Sequence, residues 1–179
     1  MNTSTPPSST LVRKPETVLK QVFGYSEFRD GQKAVIDAAI NGQDSLVLLP
    51  TGGGKSVCYQ IPALVLEGVT IVISPLISLM QDQVTQLQAL GVKAAYVNNS
   101  LAREEQQLVY QQLHQGQIKL LYVAPEKVLQ REFLERLSHL NVSLFAIDEA
   151  HCVSHWGHDF RPHYFRLNEL KQRFAHVPM

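Results

Sequence analysis

Five short apolar runs recur along the chain: SLVLL (45–49), VTIVIS (69–74), KAAYV (93–97), IKLLYV (118–123) and SLFAID (143–148). They are near-continuous in hydrophobicity, which fits strands buried on both faces of a parallel sheet. Parallel neighbours need crossover connections. Helix-patterned stretches at 55–66, 76–89, 101–115 and roughly 128–140 supply them. Two more helices are expected before the first run, at 15–23 and 31–40, and another after the last, from about 164 to 174. The pattern predicts an α/β fold: a doubly wound, mostly parallel sheet flanked by helices, with right-handed connections.

At 179 residues the chain holds about one domain's worth of sequence, and 45% hydrophobic residues are enough for a real core. Sixteen basic residues balance sixteen acidic ones, which argues against tail-driven binding of polyanions while leaving room for a local basic site. Cys58 and Cys152 are too few for a disulfide framework and suit a reducing compartment. The first 14 residues are polar and rich in Pro, Ser and Thr, and read as a solvated arm ahead of a domain spanning 15–179. No secretory signal opens the chain. The apolar stretch 61–80 is broken by Pro62, Glu67, Gly68 and Pro75, so no membrane span is expected. A soluble, cytoplasmic protein follows as the expectation.

The chemistry starts where the first run ends. LLPTGGGKSVCYQIPAL places three glycines, Gly52, Gly53 and Gly54, between a strand and a helix. Such a loop can curl so that successive N–H groups face phosphate oxygens, and the helix that follows adds its positive end. Lys55 would bridge β- and γ-phosphates and Ser56 would offer its hydroxyl to Mg²⁺. The strict pattern has Gly where this chain has Leu49, and spacing alone leaves a glycine-rich hairpin open. The last run supplies the complement: Asp148 and Glu149 stand at the carboxyl end of a strand, where ligands of open α/β sheets bind. Adjacent strand residues point to opposite sides, so one carboxylate can serve the Mg²⁺ shell while the other activates water. Together the two motifs point to Mg²⁺ and ATP.

With FGYSEFRDGQ (23–32), LPTGGGKS (49–56), SPLISLMQDQV (74–84), YVAPEKV (122–128), DEAH (148–151) and HWGHDFRPHY (155–164), the sequence resembles the RecQ family of DNA helicases. The resemblance covers the first RecA-like motor domain, from about Val18 onward, and that family shares the Leu49 departure. It implies an ATP site with Tyr25, Arg29 and Gln32 in its adenine-recognition element, where Arg29 can hold the turn or a phosphate, Thr51 in the phosphate loop, and His151 bonding toward the γ-phosphate side or to a neighbouring motif. The Gln32 amide has the donor and acceptor that match adenine's N6/N7 edge. Ser74 resembles the family's contact to single-strand phosphate. In the loop after DEAH, Trp156, His158, Phe160 and Arg161 resemble its sensor of single-stranded DNA, with rings to stack on bases and a guanidinium for phosphate. Zinc is the rival for this loop, through Cys152, His155, His158 and nearby His163, although the spacing is not that of paired CxxC sites. His155 and His163 stand where the family has Gln and Glu.

The resemblance implies an ATP-dependent 3′-to-5′ DNA helicase of repair and recombination, acting on single-stranded and duplex-junction DNA. Such a motor closes two RecA-like domains on ATP, the second bringing an arginine finger worth ~10³–10⁵ in rate. This sequence stops about where the third helicase motif would begin. The expectation is an ATP-binding unit, incomplete at its carboxyl end and weak or inactive alone; the alternative is an inactive ATP- and DNA-binding fragment.

Overall fold

A computed structural model describes residues 13–50, 52, 54–150 and 162–179. Four of the five apolar runs form one sheet: β1 (Val69–Ile73), β2 (Ala94–Val97), β3 (Leu120–Val123) and β4 (Val142–Ile147). The order is β2-β3-β1-β4 and every pairing is parallel. Both inner strands, β1 and β3, are buried along their whole length, as their unbroken apolar sequences require.

The helices fill the connections: α1 (Pro15–Gln21), α2 (Gln32–Ile40) and α3 (Val57–Val65) before β1, then α4 (Ile77–Ala89) between β1 and β2. After β2 come α5 (Arg103–His114), and after β3 α6 (Pro125–Val128) and α7 (Arg131–Ser138). Beyond β4 lie α8 (Pro162–Phe165) and α9 (Asn168–Arg173). The two-residue period of each strand splits the core into two layers. Ile71 and Ile73 pack with Leu121, Phe145 and side chains of α5, α7 and α9 on one face. Val72, Leu120 and Tyr122 pack with Ala63 of α3 and Met80, Val84 and Leu87 of α4 on the other. A third cluster, Val18, Leu19, Ile36 and Ile61, stacks α1 and α2 on the outside of α3. Each such aliphatic side chain stabilises the fold by about 1.5–3 kcal/mol through burial.

The run at 45–49 departs from the expectation, because it joins no ladder among the described residues. Leu46 and Leu48 are 78% and 85% exposed. A strand needs a neighbour to satisfy its backbone, and among the described residues this run has one such bond, from the Ser45 N–H to the Met179 carbonyl. Pro178 meanwhile accepts from Phe145 of β4. The last two residues thus sit between 45 and β4, and past them the two segments face each other across an open cleft. The helix expected at 128–140 is also divided, with Pro125 opening the separate turn α6 and α7 starting at Arg131.

Candidate nucleotide site

The phosphate loop bends through Gly52 and Gly54, whose φ angles of +78° and +74° lie in the left-handed region. Two residues of the block ahead of α2 hold it. The Arg29 guanidinium donates to the Gly52 carbonyl. The Gln32 amide donates from Nε2 to the Gly54 carbonyl at 3.1 Å and accepts the Arg29 backbone N–H on Oε1 at 2.8 Å. A Cβ on Gly54 would lie 2.3 Å from Gln32 Nε2, so no side chain fits there without displacing the amide. Gln32 is buried, while Tyr25 is 52% exposed. The block expected to face adenine is therefore also the clamp that sets the loop. Thr51 and Gly53 lie outside the described residues.

The acidic pair is placed by the sheet. Asp148 follows the last residue of β4, and its N–H donates to the carbonyl of Ile73 at the end of β1, 2.9 Å away. The Tyr164 hydroxyl donates to the Asp148 carbonyl at 2.8 Å, and the Glu149 N–H donates to Asp148 Oδ1 at 3.0 Å. Glu149 has φ +55°, unusual for a residue with a Cβ. Holding it there costs about 1–3 kcal/mol, a strain common where a side chain must be aimed. A single cleft of about 570 Å³ is bordered by Lys55 on one side and by Asp148 and Glu149 on the other. The hydroxyl of Ser56 and the carboxylate of Asp148 are hard oxygen donors of the kind Mg²⁺ takes.

A polar cluster ties the start of α3 to α4 and β3. Tyr59, one turn after Ser56, donates to Gln83 Oε1 of α4 at 3.1 Å and lies 3.2 Å, hydroxyl to hydroxyl, from Tyr122 of β3. Gln83 donates in turn to Ser56 Oγ at 3.1 Å. Burial pushes the Tyr59 hydroxyl well above its ordinary pKa, helped by neighbouring Tyr122 and the Asp148 charge and opposed by a hydrogen bond with Ser56. Sequence reasoning gave no site role to Tyr59, Gln83 or Tyr122. The available signal was their place inside motifs: Gln83 in SPLISLMQDQV, Tyr122 at the head of YVAPEKV, Tyr59 three residues after Ser56.

Ser74, expected to meet DNA phosphate, is buried, and its hydroxyl has no partner among the described residues; its N–H donates to the Val123 carbonyl. Asn98, at the end of β2, is similarly buried with an unpaired Nδ2. His151, Trp156, His158, Phe160 and Arg161 lie outside the described residues, as do Cys152 and His155 of the zinc alternative. Among the described residues no group of three His, Cys, Asp or Glu could hold a metal, and no helix is long and apolar enough to cross a membrane.

Comparison with known proteins gives this geometry its family. A profile described as "DEAD/DEAH box helicase" matches residues 29–178. The chain is 57% identical over 173 residues to "ATP-dependent DNA helicase RecQ" of Haemophilus influenzae, covering 96% of this chain and 28% of that protein. It is 59% identical over 162 residues to the protein of the same name from Pasteurella multocida, covering 90% and 26%. The chain therefore spans just over a quarter of the length of these relatives. Among solved structures, the DUF1998 helicase MrfA superposes with a TM-score of 0.70 at 18% identity, over 98% of this chain and 29% of that one. A hypothetical ATP-dependent RNA helicase from Sulfolobus tokodaii gives 0.64 at 20% identity, over 92% and 48%. Those likenesses establish the RecA-like α/β fold. With a family profile over most of its length and RecQ relatives at nearly three-fifths identity, the chain belongs to the DEAD/DEAH box helicases, in their RecQ branch.

Proposed function

We propose that this chain is the ATP-binding half of a RecQ-type motor that moves 3′ to 5′ on single-stranded and duplex-junction DNA in repair and recombination. The observation that carries the reading is the one cleft shared by Lys55, Asp148 and Glu149. The backbone N–H groups of the phosphate loop and the α3 N-terminus hold the β- and γ-phosphates, and Lys55 adds the charge. Tyr25 stacks on adenine, with Arg29 and Gln32 tying that contact to the loop they clamp. Ser56 and Asp148 would hold Mg²⁺, directly or through water, and the ion would supply charge neutralisation at the phosphates. Glu149 accepts a proton from the water that attacks the γ-phosphate, and its fixed backbone aims the carboxylate. His151 links the loop that follows to the γ-phosphate side. Trp156 and Phe160 stack on bases, His158 and Arg161 add polar contacts to the strand, and the exposed turn that follows the buried Ser74 meets the strand's phosphates.

A second reading, an ATP- and DNA-binding unit with little hydrolysis of its own, is favoured by the cleft itself. No arginine borders it among the described residues. The ~10³–10⁵ in rate that an arginine finger supplies would come from a second motor domain. One experiment addresses both readings: binding of a fluorescent ATP analogue and hydrolysis of ATP by the 179-residue chain, with single-stranded DNA, with single-stranded RNA and with neither. The expected result is Mg²⁺-dependent binding that Lys55→Ala weakens by roughly tenfold or more, with hydrolysis slow in every arm. Binding indifferent to Lys55→Ala overturns the ATP site. Rapid DNA-stimulated hydrolysis by the chain alone overturns the need for a second domain, and preferential stimulation by RNA overturns DNA as the track.

A further inference from the structure

We propose that Gln83 is a positioning residue for Ser56, turning the serine hydroxyl so that it presents an oxygen lone pair to the cation on the phosphates. The proposal rests on the nucleotide-site reading above. Gln83 lies midway along α4, next to the buried Val84, on a helix that packs the sheet through Met80, Val84 and Leu87. Three donors converge on its Oε1: Tyr122 Oη at 3.0 Å, Tyr59 Oη at 3.1 Å and Gln60 Nε2 at 3.2 Å. Gln60 Nε2 can only donate and both tyrosine hydroxyls are able to donate, so the arrangement with Oε1 facing the cluster is the one that accepts from all three. The NH₂ therefore points at Ser56, and Nε2 donates to Ser56 Oγ at 3.1 Å.

A serine hydroxyl has one proton and two lone pairs. With a donor on one lone pair, the hydroxyl cannot aim its proton toward α4, and its second lone pair is left for a ligand. Tyr122 belongs to β3, Tyr59 and Gln60 to α3, and Gln83 to α4, so three packed elements hold the amide in register. The cost of turning the hydroxyl is thereby met by the fold before any nucleotide arrives. The cluster also gives α4, whose start follows the Ser74 turn, a direct hydrogen-bonded tie to the phosphate loop.

The test is a titration of the 179-residue chain with a fluorescent ATP analogue, once in Mg²⁺ and once in EDTA, for the unaltered chain and for Gln83→Met, which keeps the side chain's length. Expected is a metal-free affinity preserved within about twofold and a Mg²⁺-dependent gain reduced roughly tenfold. In a Ser56→Ala background the same substitution should change nothing further, since the two groups act as one unit. A full Mg²⁺ gain in Gln83→Met overturns the proposal. So does an equal loss in Mg²⁺ and EDTA, which marks a purely structural contact, or an unaltered chain that gains nothing from Mg²⁺. An unaltered chain that binds no nucleotide overturns the underlying site as well. If Gln83→Met loses cooperative thermal unfolding, Gln83→Asn, which withdraws the amide by one methylene, is judged by the same outcomes.

Discussion

At Gly54 the backbone angle and the space around it make the same demand. Its φ of +74° strains any side chain, and a Cβ would meet Gln32 Nε2 at 2.3 Å. Because that atom ends a flexible side chain, the amide can retreat, but only by giving up its bond to the Gly54 carbonyl. Gly54→Ala should therefore fold, lose about 1–3 kcal/mol of stability in denaturant unfolding, and bind nucleotide more weakly. Unchanged nucleotide affinity in Gly54→Ala would contradict the clamp. The sequence marked Gln32 as a base reader from the match of its amide to adenine. It could not reveal that the amide spans 22 residues to a loop carbonyl, because that contact exists only after α2 and α3 have packed together. The meeting of Lys55, Asp148 and Glu149 at one cleft was legible because each position depends on local order along the chain: loop before a helix, and strand end.

Elements divide in the same way. Four apolar runs became strands because each found a parallel neighbour, while 45–49, equally apolar, did not. Hydrophobic pattern reports what a segment needs, and pairing depends on what lies beside it. What anchors the start of that run is Asp44, whose Oδ1 accepts from Lys171 Nζ at 2.7 Å and from the Met179 N–H at 3.0 Å. The Lys171 hydrogen bond holds the Asp44 carboxyl below its ordinary pKa; burial opposes it, and the Met179 N–H adds to the lowering. A carboxyl depressed in the folded state stabilises it above the ordinary carboxylate range and loses that contribution as pH falls through the lowered value. The pair is half-exposed, so Asp44→Asn should cost no more than about 1 kcal/mol at pH 7, roughly 2–4 °C in Tm. Thermal unfolding should show this gap closing as pH falls below about 4. A gap of equal size at neutral and acid pH would contradict the ion pair's role.

For the molecule as a whole, function follows from where the parallel strands end. β1 and β4 finish side by side, the Asp148 N–H bonds the Ile73 carbonyl, and the acidic pair is delivered to the cleft that Lys55 enters from α3's side. The polar cluster of Ser56, Tyr59, Gln83 and Tyr122 spans α3, α4 and β3 beneath that cleft and ties its floor to the sheet. Sheet, cleft and cluster converge on one claim: a single magnesium-bearing triphosphate is held between the phosphate loop and the DEAH strand end. A crystal structure of the chain with Mg²⁺ and a non-hydrolysable ATP analogue measures this directly. The expected result is an ion about 2.0–2.1 Å from Ser56 Oγ, with Asp148 in its coordination or water shell and Lys55 on the phosphates. A triphosphate bound with its metal remote from Asp148 and Glu149 would contradict it.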